Sequence, residues 1–370
     1  DLEINGPIVA AGTVTLEAYR DIQFNSATAD LTSGNGNVTM TADLAGGGAA
    51  GGAFTMVDQA SVDAGTGTIT VSSNGDATVT GFTSTQAPGT VSTVVTVTST
   101  AGAIVDAGET ATDIAATAAN ARIALSAATG IGGAGALELS VAHLDASTTA
   151  GAIQLIEADG LTVEQLTSGN GNVTLTSTTG NIAIDSAGGG ISADLTNDVV
   201  TVTASAGAIS AVNATTAVEV AGAAIQLNAV SGTIGATNGL DVNAVTALGA
   251  DTSTANGTII INDRVGSLPI SLVAAGTGGV TLTTATDIVE AAPLDAAADV
   301  SATTITLEAG TGGAGAIGTA AADAELDIDL AVGGTLSVTT AGAGGEIHLA
   351  ETAGRLATSE ITTVATPGGA

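Results

Sequence analysis

Cysteine, lysine and tryptophan are all absent from this 370-residue chain, and aromatic residues make up only 1%. Each absence excludes something. Without cysteine there is neither a disulfide framework nor a thiolate metal site. The basic residues are four arginines, Arg20, Arg122, Arg264 and Arg355, against 36 Asp and Glu, for a formal net charge of −32. So few cations cannot neutralise a phosphate backbone, which argues against nucleic acid as a partner. The same charge is repelled by an anionic membrane surface. No apolar run reaches the ~18 residues of a membrane span, so no membrane insertion is expected. Asp1 opens the chain without Met or a signal peptide, which reads as a processed or excerpted chain.

What is present is aliphatic. The hydrophobic share is 45% and mean hydropathy +0.48, too apolar for a disordered chain. Ala, Val, Ile and Leu supply it; the only rings are Phe24, Phe54, Phe82 and Tyr19. A core filled this way is narrow and uniform, with the four rings packing a less regular N-terminal end. Thr and Val dominate the ordered runs, which favours strands. Gly and Asx clusters interrupt the chain too often for long helices. The Ala-rich stretch 110–127 carries the alternation Ile123-Ala124-Leu125 and reads as strand and turn. The Gly/Ala stretch 45–52 reads as a loop.

The ordered runs share a pattern: a small residue or Gly, then alternating apolar and polar positions. Gly36-Asn37-Val38-Thr39-Met40, Gly67-Thr68-Ile69-Thr70-Val71 and Gly171-Asn172-Val173-Thr174-Leu175 are examples. Period two places Val, Ile and Leu on one face and Thr, Ser and Asn on the other, in strands of about five residues or fewer. In the C-terminal half Ile259, Val280, Ile305, Leu326 and Ile347 recur at intervals of 21, 25, 21 and 21. Three short strands with their turns fill that length, which is one coil of a parallel β-solenoid. The expected fold is therefore all-β: a right-handed parallel β-helix of short three-strand coils. At ~22–25 residues per coil the chain holds roughly 15 coils, and at ~4.8 Å per coil a single rod over 1–370 is about 70 Å long.

A longer repeat overlies the coils. Ile123/Leu125 matches Ile225/Leu227 and Ile305/Leu307; Leu137/Leu139 matches Leu240/Val242 and Leu326/Ile328; Ile153/Leu155 matches Ile259/Ile261 and Ile347/Leu349. These define super-repeats near 95–199, 200–279 and 280–354, the third one coil shorter. Losing a whole coil is harmless in a solenoid, where each coil contacts only its neighbours. The nine residues Leu31–Thr39 recur without change at Leu166–Thr174, which points to internal duplication.

No catalytic motif emerges. His143 and His348 stand on strand-like runs; His143 has no companion nearby in sequence, His348 takes the place of Gln154 and Ile260 in the other copies, and both read as solvent-facing positions. Glu157, Asp263 and Glu351 follow the same strand in the three copies. Stacked carboxylates suit a hard cation, so Ca²⁺ is the one cofactor considered for them. Turn residues that cap backbone N–H groups are the preferred reading, because no ordered D-x-D-x-D-G or G-G-x-G-x-D series is present. Asp185, Asp287 and Asp329 read the same way. A polysaccharide lyase would want Lys or Arg, and a hydrolase paired carboxylates in an aromatic-lined groove; this composition suits neither, and the chain reads as a non-enzyme. Thr-x-Thr pairs such as Thr68-Ile69-Thr70, Thr96-Val97-Thr98 and Thr281-Leu282-Thr283 could order water on a flat face, although strand propensity alone explains them. The N-x-[ST] sequences at Asn37, Asn172, Asn213 and Asn256 are expected by chance in Asn/Thr-rich sequence.

Runs such as Gly315-Ala316-Ile317-Gly318-Thr319, Leu326-Asp327-Ile328-Asp329, Leu336-Ser337-Val338-Thr339-Thr340 and Gly345-Glu346-Ile347-His348-Leu349 resemble the β-strand repeats of large bacterial surface proteins, the filamentous-haemagglutinin-like adhesins and autotransporter-type passengers. The resemblance covers about 30–354 and is one of style and period. It implies a right-handed parallel β-helix, secretion and an extended cell-surface or filament role, with no catalytic residues to carry over. The N-terminal secretion module of such families is not in this sequence. The expectation is an extracellular or cell-surface stalk or filament, partnered by further copies or by neighbouring repeats of its own chain. The alternative is an adhesin or binding module for a glycan, a surface or ice. The residues at 359–370 read as one more strand, with no polar cap to close the end.

Overall fold

The computed structural model describes residues 1–44, 51–108, 110–133, 135–321, 324–341, 345–353 and 361–365. Residues 45–50 of the expected loop, and all but 361–365 of the expected last strand, lie outside this set. Among the described residues there is no helix, about half of the chain is strand, and every strand pairing is parallel: a β-solenoid of about 13 turns. The chain divides into two compact units, Asp1–Thr178 and Thr179–Ala370.

Over residues 2–148 of the first unit each coil contributes one strand to each of three ladders; in the next coil the single strand Ile153–Glu157 pairs with both Ile131–Gly132 and Leu137–Val141. One ladder runs through Leu2–Ile4, Ile22–Phe24, Phe54–Met56, Ala77–Val79, Ile104–Asp106 and Ile131–Gly132. A second runs through Ile8–Ala10, Leu31–Ser33, Val62–Asp63, Phe82–Thr83, Ile114–Ala116 and Leu137–Val141. The third holds the longest runs, from Val14–Ala18 through Val38–Ala42 and Ile69–Ser73 to His143–Thr148 and Leu161–Ser168. In-register pairing stacks like on like. Val38, Ile69, Val95, Ile123 and Leu144 form one buried column, and Met40, Val71, Val97 and Leu125 the next. Phe24, Phe54 and Phe82 are fully buried edge to face, with ring centroids 5.9 and 6.0 Å apart, so these three rings fill the interior of in-register coils and do not pack an irregular end. Tyr19 instead stands 74% exposed.

The second unit is built on the column Ile182, Ile209, Ile234, Ile259, Val280, Ile305 and Leu336, one residue per coil. Here adjacent sides fuse into long strands, Val220–Ala229, Leu240–Asp251, Val300–Ala309 and Leu326–Thr340, which turn the corner through register shifts at Gly222/Ala224 and Ala302/Thr304. Two expectations are corrected by this. Strands reach 15 residues, not five. The series Ile305, Leu326, Ile347 also does not follow one ladder: Ile305 pairs with Leu336, Val300 with Ile328, and Ile317 with Ile347. Coil length is uneven, from 18 residues (Leu137 to Leu155) to 32 (Ile22 to Phe54), because corners absorb different numbers of residues. That accounts for about 13 turns in place of 15.

Glycine marks one corner of the second unit. Gly207, Gly232, Gly257 and Gly278 stack coil upon coil, and a Cβ on any of them would collide with the backbone of the coil before it. Close approach, not a left-handed backbone, is what requires glycine here.

Candidate functional site

The residues singled out for chemistry sit apart from one another. Glu157, Asp263 and Glu351 each end a strand, Ile153–Glu157, Ile259–Asp263 and Leu349–Glu351. They occupy matching places, pairing with Leu139, Val242 and Ile328 of the preceding coil. Their carboxyl oxygens accept backbone N–H groups. Glu157 Oε1 takes Val141 N at 3.2 Å, Glu351 takes Leu330 N at 3.3 Å, and Asp263 Oδ1 takes Val265 N at 2.8 Å and Gly266 N at 3.1 Å. The capping role is thus in place at all three. Burial pushes the Glu157 carboxyl up to about 9, with Asp159 beside it adding to the rise. Burial also raises Asp263, opposed by the N–H groups of Val265, Gly266 and Ala244. Asp185 and Asp287 cap as well, accepting from Ala187 N and Ala316 N.

His143 is not the isolated solvent-facing residue its sequence context suggests. Parallel register sets Thr93, Arg122 and His143 in one cross-coil row. Arg122 Nη1 lies 2.8 Å from Glu164 Oε2, and His143 Nδ1 3.2 Å from Glu164 Oε1. Asp145 next to them is raised by burial, an effect that Arg122 opposes. His348 Nε2 lies 3.0 Å from Glu346 Oε2.

The densest carboxyl groups are ones that sequence reading missed. In the first unit Asp113, fully buried, donates its N–H to Glu138 O at 2.9 Å, and its Oδ2 accepts Glu138 N at 2.9 Å. In the second unit the same two bonds join Glu219 to Asp241 (2.8 and 2.7 Å) and Asp299 to Asp327 (2.8 and 2.9 Å). A third position completes each corner. It lies two residues after Ile104, Ile209 and Ile288, which pair in turn with Ile131, Ile234 and Ile317. That position is Asp106 in the first corner, Ala211 in the second and Glu290 in the third. Asp106, Asp113 and Glu138 bring one carboxylate oxygen each within 4.8 Å of one another. A depression of about 180 Å³ lined by Thr110, Thr112, Glu138 and Ile156 opens beside them.

The electrostatics differ between corners. In the second, Arg264 Nε lies 3.1 Å from both Asp241 oxygens, and Asn262 Nδ2 donates to Oδ1 at 2.8 Å. In the third, burial first, then Glu290 and Asp327, push Asp299 up to about 7. Glu290 is raised by burial, with Asp327 the foremost of the charges that add to it. The signal that could have found these corners was in the sequence: an acid immediately precedes Ile114, Val220 and Val300, and another precedes Leu139, Val242 and Ile328.

No protein-family model, no curated protein and no solved structure matches this chain.

Proposed function

We propose that the chain is a structural β-solenoid of an extracellular stalk or filament, non-catalytic and associating end to end with further copies. The observation that carries this reading is the unbroken aliphatic column of the second unit, one residue per coil from Ile182 to Leu336. An interior of that kind extends by repetition and encloses nothing. The likeness of its strands to filamentous-haemagglutinin-type repeats points the same way, as does a lysine-free, cysteine-free acidic exterior. The carboxyls first considered as sites are engaged in capping backbone N–H groups. Negative-stain microscopy of the full chain, with sedimentation over a concentration series, tests the proposal. Rods that lengthen with concentration are the expected result. Particles of one size at every concentration would overturn it.

A second reading, a surface-binding module, has one observation in its favour. In the first unit Thr39, Thr70 and Thr96 stack in register, as do Thr41, Ser72 and Thr98 two residues on, so paired hydroxyls repeat up one face. Binding on a glycan array, or faceted ice growth in its presence, would favour this reading over the first.

A further inference from the structure

The outer face of the third ladder in the first unit changes character at one place. Thr93, Arg122, His143 and Thr162 stand in register, one per coil. Opposite Leu144 and Asp145 the following strand slips by one, and Glu164 is the extra residue. A bulge re-aims the side chain it carries. Here the Glu164 carboxylate reaches back over two coils: Oε2 takes Arg122 Nη1 at 2.8 Å, and Oε1 lies 3.2 Å from His143 Nδ1. Arg122 Nε donates to Thr93 Oγ1 at 2.9 Å. The other ring nitrogen, His143 Nε2, lies 3.2 Å from the carbonyl oxygen of Ala119, in the turn at 118–120.

Both ring nitrogens therefore face acceptors. A neutral imidazole has one N–H and one lone pair; only the imidazolium has two donors. His143 can satisfy Glu164 and Ala119 together only when it is charged. Nδ1 is closed to water, and its contact with Glu164 is that of an ion pair rather than an aligned hydrogen bond. A lone pair at that atom would face a carboxylate with no water to intervene, so a neutral ring keeps its one proton on Nδ1 and leaves Nε2 bare. Ala119 is exposed, and water takes over its carbonyl. The charged groups that face the ring are Arg122 on the preceding strand, Glu164 on the following one and Asp145 on its own.

We propose that His143 is a proton-operated latch. As the imidazolium it holds the turn at 118–120 to Glu164 through the coil between them. As the neutral imidazole it keeps Glu164 and releases the turn. Two backbone bonds report on that turn: Ser92 N–H donates to Asn120 O at 3.0 Å, and Ala121 N–H to Ala118 O at 2.8 Å.

The test uses nuclear magnetic resonance on the full chain with isotope-labelled histidine rings, His348→Gln serving to identify the signal of His143. At pH 5 both ring nitrogens of His143 should carry protons. At pH 8 only Nδ1 should, the reverse of the tautomer that free histidine favours. Between these pH values the amides of Ser92 and Ala121, each corrected for its intrinsic exchange rate, should lose about tenfold in protection, the worth of one hydrogen bond to a charged group. His143→Gln, its strand content checked by circular dichroism, should show the same protection at both pH values. Glu157 is present in both chains, so its titration cancels in the comparison. Equal protection at pH 5 and pH 8 in the wild type would overturn the proposal. So would an undiminished loss in His143→Gln, or a neutral ring protonated at Nε2. None of these results depends on whether the chain forms filaments.

Discussion

At the scale of single residues, the buried acids decide how the protein responds to pH. Glu157 is fully buried and its folded carboxyl titrates near 9, against 4.5 for the ordinary side chain. Below about pH 4.5 it is protonated whether the chain is folded or not. Between that value and about 9, unfolding releases a proton, so stability falls as pH rises across the window. Melting followed by circular dichroism from pH 5 to pH 9 should therefore show a declining midpoint. Glu157→Gln keeps an oxygen for Val141 N and carries no charge. It should melt higher than the wild type at pH 8 and flatten the decline, without abolishing it, because Asp263 is raised as well. An unaltered slope in the variant would show that Glu157 ionises freely in the folded chain. Sequence alone aligned Glu157 with Asp263 and Glu351 but could not rank their burial. It missed the Arg122, His143 and Glu164 group, whose members lie 21 and 42 residues apart and meet only through cross-coil register.

At the scale of elements, alternation was readable and coil length was not. The runs Val38–Ala42, Ile69–Ser73 and Val173–Ser177 form strands with every second residue buried, as their period-two pattern predicts. The count of coils went astray because corners vary. Residues at a bulge or a fused corner keep the same small and β-branched composition as those in strands, so nothing in the local pattern says whether a side has ended. The stacking itself leads to a deletion experiment. Val38 pairs with Ile69, and Ile69 with Val95. Removing residues 69–94 brings Val95 into the place of Ile69 with all inward positions kept. This shortened chain should retain its β-sheet spectrum and a cooperative melt. Removing only 69–81 takes out part of a coil, leaves the ladders out of step, and should abolish cooperative unfolding. Equal behaviour of the two deletions would contradict the ladder register.

At the scale of the whole molecule, charge is the dominant quantity. A formal −32 on 370 residues repels itself, and only four arginines offset it. Salt shortens the reach of that repulsion, to about 8 Å at physiological ionic strength. With EDTA present to remove divalent ions, the melting temperature should climb as NaCl is raised from the low millimolar range to physiological strength. A flat or falling curve would mean that packing, not self-repulsion, limits stability.

The glycine corner of the second unit has a mechanical corollary. Gly207, Gly232, Gly257 and Gly278 let each backbone rest directly upon the last, so the load between coils passes through main-chain atoms with no side chain as a spacer. Tension drawn on a chain wound this way meets one seam at a time. Extension would then proceed as a series of small, similar yields, with each loop surrendering its hold before the next is strained.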